Sequence, residues 1–503
     1  MLFCGCLDVE FDMAMNKKFL PLFLLSLPFA VEGVELPDII SDNAVLQQNS
    51  RAKLWGWAEP GKTVTVTPSW GDGKVYTAKA DSKNGRWEVS VATPAASFTP
   101  QSIRFDDGVA PVSIGNVLIG EVWFCSGQSN MEMPLRGFWC QPVEGAAQAI
   151  AYSGKYPGIR VATVPKKAAY TTQERVEGKW QLSKPENAAD FSALAYFFAT
   201  SLTDMLDVPV GIISCAYGGS KVEGWMPKEK LDTYPGWDMA KEEKDTAINE
   251  WERIGVMYNA MLRPVVGYTV KGFLWNQGES NVGRHDEYPA HQRDMVEIWR
   301  NEWENQEMPF YFVELPGWKY GDGEETAAAY FRECQHRAAG MIPNSGIVCT
   351  SDLVYPHELE DIHASKKREI GERLAFMAAS RTYGLPGIPH TYPSYKSVEL
   401  NGPTALIRFN NADAGLNPNM NLPGFEVAGA DKVFYPAKAT EDWNERTVTV
   451  SSDKVKDIKA VRYCFKNFAV GRMKDMYGMP LIPFRTDDWD DAKRAPATEN
   501  PQD

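Results

Sequence analysis

The chain has 503 residues, with 66 acidic against 52 basic side chains, a formal net charge of −14 and 12% aromatic residues including 16 Trp. That length exceeds one ordinary hydrophobic core and predicts two or three domains. The acidic balance argues against a nucleic-acid partner.

The elements follow in chain order. Asn16-Lys17-Lys18 is a positive n-region, and 19–29 is an apolar stretch too short to span a membrane as a stable helix. Residues 1–33 are therefore read as a leader, with 15–33 the signal peptide and cleavage near Gly33. Residues 1–14 are acidic and precede a second methionine, Met15, which suggests a misplaced start. The expectation is export, secreted or periplasmic, with no transmembrane segment after signal removal. Residues 34–115 show short alternating runs with hairpin signals at Gly71-Asp72-Gly73 and Asn84-Gly85, the texture of an N-terminal all-β domain. Residues 116–392 alternate predicted strands (117–125, 210–215, 269–275, 309–315, 346–350) with helical patterns (192–206, 288–305, 325–339, 364–382). That alternation predicts βαβ units, a parallel sheet and helices on both faces. The connections 133–190 and 281–289 read as loops that shape a pocket. Residues 393–490 return to short strands as a C-terminal β domain, and 491–503 is a polar, loose tail.

Six cysteines follow the leader: Cys125, Cys140, Cys215, Cys334, Cys349 and Cys464. Export permits disulfides, but Cys125, Cys215 and Cys349 end predicted core strands, where cysteine acts as a small hydrophobe. At most one or two bridges are expected. The spacing carries no zinc signature, and His357, Asp361 and His363 lack the usual preceding ligand pair. No metal and no other cofactor is predicted.

Three motifs carry chemistry. Gly127-Gln128-Ser129-Asn130-Met131 follows the first predicted strand of the α/β region. A serine there becomes a nucleophile if a base lies within reach and donors face the developing oxyanion. Backbone N–H groups at a helix start favour that charge. The competing reading is structural: Ser129-Asn130-Met131-Glu132 matches an S-x-x-E capping box. Next, Gln277, Glu279 and Asn281 crowd the end of 269–275, where ligands bind in open α/β sheets. Gln277 can donate to an oxyanion and Glu279 can hold a sugar hydroxyl; the alternative is a polar loop with a helix cap. Finally, Asp361-Ile362-His363 places acid and imidazole two apart, on one side of an extended stretch. Asp361 would fix the tautomer and stabilise the imidazolium, with Glu360 the alternative orienter. A lone histidine would read as an exposed pre-helix residue; beside the first two motifs, His363 reads as the base.

These residues resemble the sialate O-acetylesterase-type members of the SGNH hydrolases, serine esterases with a flavodoxin-like sheet. The likeness runs from Gly120-Glu121-Val122-Trp123 through Ser129 to Pro134-Leu135, then Tyr217-Gly218-Gly219-Ser220-Lys221-Val222-Glu223-Gly224-Trp225. It continues through Gln277-Gly278-Glu279-Ser280-Asn281, Asp361-Ile362-His363, Gly371-Glu372-Arg373-Leu374-Ala375, Val461-Arg462-Tyr463 and Pro483-Phe484-Arg485-Thr486-Asp487. The resemblance implies Ser129 as nucleophile, His363 as base and an oxyanion hole from Ser129, Gly218 or Gly219, and Gln277. The acid lies two rather than three residues before the histidine, unlike the wider superfamily, and Ala364 stands where these proteins often carry proline.

The expected architecture is thus a flavodoxin-like SGNH hydrolase core flanked by sandwich-like β domains. The expected partner is an O-acetylated carbohydrate, first a sialic acid; nothing in the sequence sets the oligomeric state. Substrate-binding candidates are Gln128, Asn130, Glu279, Asn281, Arg136, Arg284 and Trp225, the arginines because guanidinium pairs with a sialate carboxylate. Trp139, Trp275 and Trp318 also lie near the site loops. Other readings are an esterase acting on xylan or pectin, a glycosidase using Glu132 and Glu279, and a carbohydrate-binding protein with an inactive site.

Overall fold

The computed structural model describes residues 33–418, 422–442, 444–490 and 492–494. The leader read at 1–33 lies outside them except for Gly33. Six strands come first: β1 (Val45–Gln47), β2 (Arg51–Trp57), β3 (Thr63–Pro68), β4 (Tyr76–Lys79), β5 (Arg86–Ala92) and β6 (Ser97–Asp106). Their alternation does what period-two patterning requires: in β3, Val64 and Val66 are buried while Thr63, Thr65 and Thr67 are not.

The next strand, β7 (Val112–Gly127), belongs to two regions at once. Its first part pairs antiparallel with β6 and parallel with β1, placing Val45 opposite Leu118. Its last part is the middle of the parallel sheet. The boundary expected at 115/116 therefore falls inside one continuous strand. The remaining strands of that sheet are β8 (Ile159–Thr163), β9 (Trp180–Leu182), β10 (Val210–Ala216), β11 (Gly272–Asn276), β12 (Phe310–Val313) and β13 (Ser345–Val348). Their spatial order is β13-β12-β11-β7-β10-β8-β9, parallel throughout except for β9. β8 and β9 lie in the stretch 133–190 that the sequence reading gave to a loop. Without that pair, the parallel strands run 2-1-3-4-5 in chain order, and the order reverses at β7 beside β11.

Alternation also explains why this sheet is apolar on both faces. Phe124, Phe273, Trp275, Phe310 and Phe312 point to one side, against Met295 and Trp299 of helix Tyr288–Glu302 and Phe331 of helix Ala327–Met341. Trp123, Cys125, Leu274, Tyr311 and Val313 point to the other, against Leu194 and Phe198 of helix Ala193–Leu206 and Leu374 of helix Lys367–Arg381. Each such side chain, fully buried, contributes roughly 1.5–3 kcal/mol. The last two helices meet at Gly371, where a Cβ would lie 2.7 Å from Leu194 O and from Phe198 N.

Beyond the α/β region come β14 (Ser394–Asn401), β15 (Thr404–Asn410), β16 (Phe425–Ala428), β17 (Val433–Pro436), β18 (Lys438–Asp442), β19 (Thr447–Ser451), β20 (Ala460–Tyr463), β21 (Phe484–Arg485) and β22 (Lys493–Arg494). They form two sheets, β14-β15-β19-β18 and β21-β20-β16-β17-β22. Ile407, Val448 and Val450 of the first share one core with Val427, Val461 and Tyr463 of the second. The tail read as loose is anchored at 492–494: Arg494 forks onto Glu426 at 2.7 and 2.8 Å, and β22 pairs with β17. Asn467 ties this region to the stretch after β12, donating to Lys319 O and Asp322 O and accepting from Ala328 N.

All six cysteines among the described residues are free thiols; five are buried and Cys140 is exposed. Burial pushes the Cys334 and Cys464 thiols up to about 12. No helix among the described residues is long and apolar enough to cross a membrane.

Candidate active site

Three site segments follow directly on parallel strands, Gln128-Ser129 on β7, Tyr217-Gly218-Gly219 on β10 and Gln277-Gly278-Glu279 on β11, while Asp361-Ile362-His363 comes after β13 and the short helical segment Pro356–Glu360. β7 ends at Gly127 (φ +140), where a Cβ would lie 2.1 Å from Asn276 O, so this tight approach to β11 requires glycine. Gln128 N donates to Asn276 O at 3.0 Å, and a single helical turn, Ser129–Glu132, follows. The capping box does not form. The N-cap is Gln128, and no side chain caps the turn. Glu132 turns away: its Oε2 accepts from Gly218 N at 2.7 Å and its Oε1 from Lys166 Nζ at 2.8 Å.

The same bond changes the expected set of oxyanion donors. The loop after β10 does lie against Ser129, since a Cβ on Gly218 would sit 3.4 Å from Ser129 Cβ. The Gly218 N–H, however, is held by the Glu132 carboxylate. Among the described residues the Gly219 and Ser129 N–H groups have no acceptor. Gln277 does not supply the donor expected of it: its Nε2 donates to Ser220 O (3.1 Å) and Asn281 Oδ1 (2.7 Å), and its Oε1 accepts from Tyr288 (2.9 Å). With every polar atom paired and the side chain buried, Gln277 braces the loop.

Asn130 knots three segments together. Its Nδ2 donates to Glu279 Oε1 and to Ile362 O, the latter at 3.0 Å, and its Oδ1 accepts from Lys367 Nζ at 2.5 Å. The residues next to Ser129 and next to His363 are thereby joined directly. Burial raises the Glu279 carboxyl above its usual range, and Glu279 Oε2 is buried without a partner. Burial pushes Lys367 down to about 8, against the opposing pull of Glu279 and Glu358.

His363 is held in a way the sequence did not suggest. Its Nδ1 lies 2.7 Å from Gln141 Oε1, and Gln141 Nε2 donates to Asp361 Oδ1 at 2.7 Å. Asp361 thus does not touch the ring as expected; the Gln141 amide stands between them. Glu360, the alternative orienter, pairs with Lys319 instead. The ring packs edge-on against Phe138 at 5.0 Å between centroids. His363 Nε2 is buried and has no hydrogen-bond partner. Burial first, then the nearby Lys367 charge, lowers His363 to about 4. Gln141 is the site residue that sequence reasoning missed: it lies in an irregular stretch between Cys140 and Pro142, and no local pattern marks a glutamine there.

Several substrate-binding candidates turn inward. Gln128 Oε1 accepts from Gly278 N and Ser280 N. Asn281 bridges Val222 N and the buried Glu223. Trp225 is fully buried, donates to Ser220 Oγ at 3.0 Å and packs edge-on against Trp275 and Trp299. Arg284 pairs with Glu223 at 3.0 Å and with Glu287, and Arg136 pairs with Asp190 at 2.7 Å. Beside the Ser129–Glu132 turn opens a cavity of about 560 Å³, lined by Glu132, Arg136, Phe138, Trp139, Lys166 and Asp190 among others. Trp139 is 91% exposed on its wall.

Residues 119–380 match the model of the family described as carbohydrate esterase, sialic acid-specific acetylesterase. The chain is 27% identical to the human (Homo sapiens) sialate O-acetylesterase over 418 residues, which is 76% of this chain and 77% of that one. It is 26% identical to the mouse (Mus musculus) sialate O-acetylesterase over 438 residues, 75% and 78% of the two chains. The crystal structure of a carbohydrate acetylesterase from Xanthomonas citri superposes with a TM-score of 0.80 at 32% identity, covering 91% of this chain and 100% of that one. Fold and matches define the class: a carboxylic ester hydrolase that works on carbohydrate. Within that class, the chain belongs to the carbohydrate esterase, sialic acid-specific acetylesterase family.

Proposed function

We propose that this carbohydrate O-acetylesterase works through an acetyl-enzyme on Ser129 with His363 as general base, and that its core is a flavodoxin-like SGNH hydrolase. The 2-1-3-4-5 strand order supports the fold reading. The observation that carries the chemistry is the imidazole: Nδ1 is held, while the buried Nε2 is left without a partner next to a turn joined to it through Asn130. Ser129 Oγ attacks the acetyl carbonyl carbon as His363 Nε2 takes the hydroxyl proton. The N–H groups of Ser129 and Gly219 receive the oxyanion. The bond to the sugar oxygen breaks, and that oxygen takes the proton from His363. Water then attacks the acetyl carbon and gives a proton to His363. Acetate leaves, and the proton returns to Ser129 Oγ.

The relatives' names support a sialic acid as the sugar. A second reading has its own support: Arg136 and Arg284, the arginines expected to meet a sialate carboxylate, are spent on Asp190, Glu223 and Glu287. A neutral acetylated glycan such as xylan needs no such cation. Acetate release from O-acetylated sialosides, xylan and pectin separates the two, preference for xylan or pectin removing the sialate reading alone. Ser129→Ala tests the chemistry. It is expected to cut kcat by roughly ten-thousandfold or more while folding normally; retained activity would remove the serine mechanism. The apolar run at 19–29 supports export, hence a secreted or periplasmic site of action.

A further inference from the structure

We infer that Gln141 is a positioning residue: its amide carries the orientation of Asp361 to His363 and locks the imidazole in the tautomer that leaves Nε2 free to accept a proton. The inference rests on the reading of His363 as the base. Its physical content is donor–acceptor logic. An ionised carboxylate only accepts hydrogen bonds, so Asp361 Oδ1 at 2.7 Å demands the amide's NH₂ group. That leaves Gln141 Oε1, again only an acceptor, facing Nδ1 at 2.7 Å, so Nδ1 must carry the hydrogen. The flipped amide would set oxygen against carboxylate. One acid therefore fixes the tautomer of a ring it does not touch.

The backbone reinforces this arrangement. Phe138 and Gln141 exchange N–H···O bonds of 3.0 and 3.1 Å, closing a tight turn. A Cβ on Gly137 would lie 2.3 Å from Gln141 O, so the turn admits only glycine there. From this one turn, Phe138 packs on the ring and Gln141 binds its edge. The relay also changes the electrostatics. A carboxylate bonded directly to Nδ1 raises a histidine's proton affinity; a neutral amide does so far less. The charged neighbours are Lys367 on the following helix, Asp361 behind Gln141, and Glu279 and Glu358 around Lys367. The amide thus leaves burial and Lys367 to dominate, in keeping with the low affinity of His363 for protons.

The test uses the full chain, para-nitrophenyl acetate as probe, and kcat and kcat/KM across pH. Gln141→Leu is expected to lower kcat by roughly tenfold or more with KM nearly unchanged, and to give a mixture of His363 tautomers in imidazole ¹⁵N spectra. Gln141→Glu is expected to move the acid limb of kcat/KM up by roughly one pH unit or more, because a carboxylate then meets Nδ1. Asp361→Asn, which leaves the glutamine in place, is expected to give a smaller loss of kcat with partial tautomer mixing, and it serves if the Leu variant does not fold. An unchanged kcat in Gln141→Leu, or losses in both Gln141 variants with the pH limb and tautomer as in the parent, overturns the relay. Failure of the base assignment shows separately, as activity that survives His363→Asn.

Discussion

Lys367 shows how much one buried cation decides. It donates to Asn130, offsets the Glu279 carboxyl and suppresses protonation of His363. With His363 at about 4, the proposed base would be neutral and competent above that pH and lost below it. The rise of kcat/KM with pH is therefore expected near pH 4, well below the ~6.5 of a free histidine. The sign for stability follows. Between about 6.5 and 4 the unfolded chain takes up the proton that the folded chain refuses, so this histidine lowers stability as pH falls through that window. Lys367→Met removes the cation while keeping most of the volume. It is expected to raise the acid limb of kcat/KM by roughly half to one pH unit and to lower the melting temperature, since Glu279 loses its counter-charge. An unmoved limb would mean that burial alone sets the base.

At the scale of elements, helix Lys367–Arg381, which begins with Lys367, packs against helix Ala193–Leu206. Gly371 lets the helices approach until Leu194 O and Phe198 N fill the place of a side chain. Gly371→Val is expected to cost about 1–3 kcal/mol in urea unfolding and to lower kcat, because Lys367 stands one turn away on the displaced helix. A variant as stable as the parent would show that the helices part freely. Elements of this kind were readable from sequence where a pattern was long or continuous. The strands ending at Gly127, Ala216 and Asn276 carry dense apolar stretches (122–125, 210–213, 273–275), and Ser192 caps its helix as its chemistry demands, accepting from Ala195 N at 3.3 Å. β8 escaped because Ile159-Arg160-Val161-Ala162-Thr163 is short and carries an arginine inside the sheet, its partner β9 being only three residues. Ser129 and His363 stood out as candidates because nucleophile and base chemistry restrict residue type. Gln141 did not, since an amide acquires its role only from the two groups that folding brings to it. Gln277 misled for the same reason: a polar side chain at a strand end reads alike whether it faces a ligand or a loop.

At the scale of the molecule, β7 makes the N-terminal β region part of the catalytic scaffold. Deleting residues 33–115 would remove the partners of its first half, β1 and β6, and leave a bare edge along what remains of that half. Such a shortened chain is expected to be insoluble or inactive, measured by recovery and para-nitrophenyl acetate turnover; full activity would make the N-terminal region a dispensable appendage. The C-terminal region is tied to the α/β region through Asn467, which secures the stretch from Lys319 to Ala328. Both flanking β regions are thus joined to the α/β region by direct backbone or side-chain hydrogen bonds.

The exposed Cys140 adjoins Gln141 in the chain, while the five other described thiols are buried. Alkylating reagents in water react with thiols they can reach. A single fluorophore attached there would sit on the threshold of the cavity, beside Trp139 as a natural quencher. It would report the arrival of a glycan in real time, without any engineered handle.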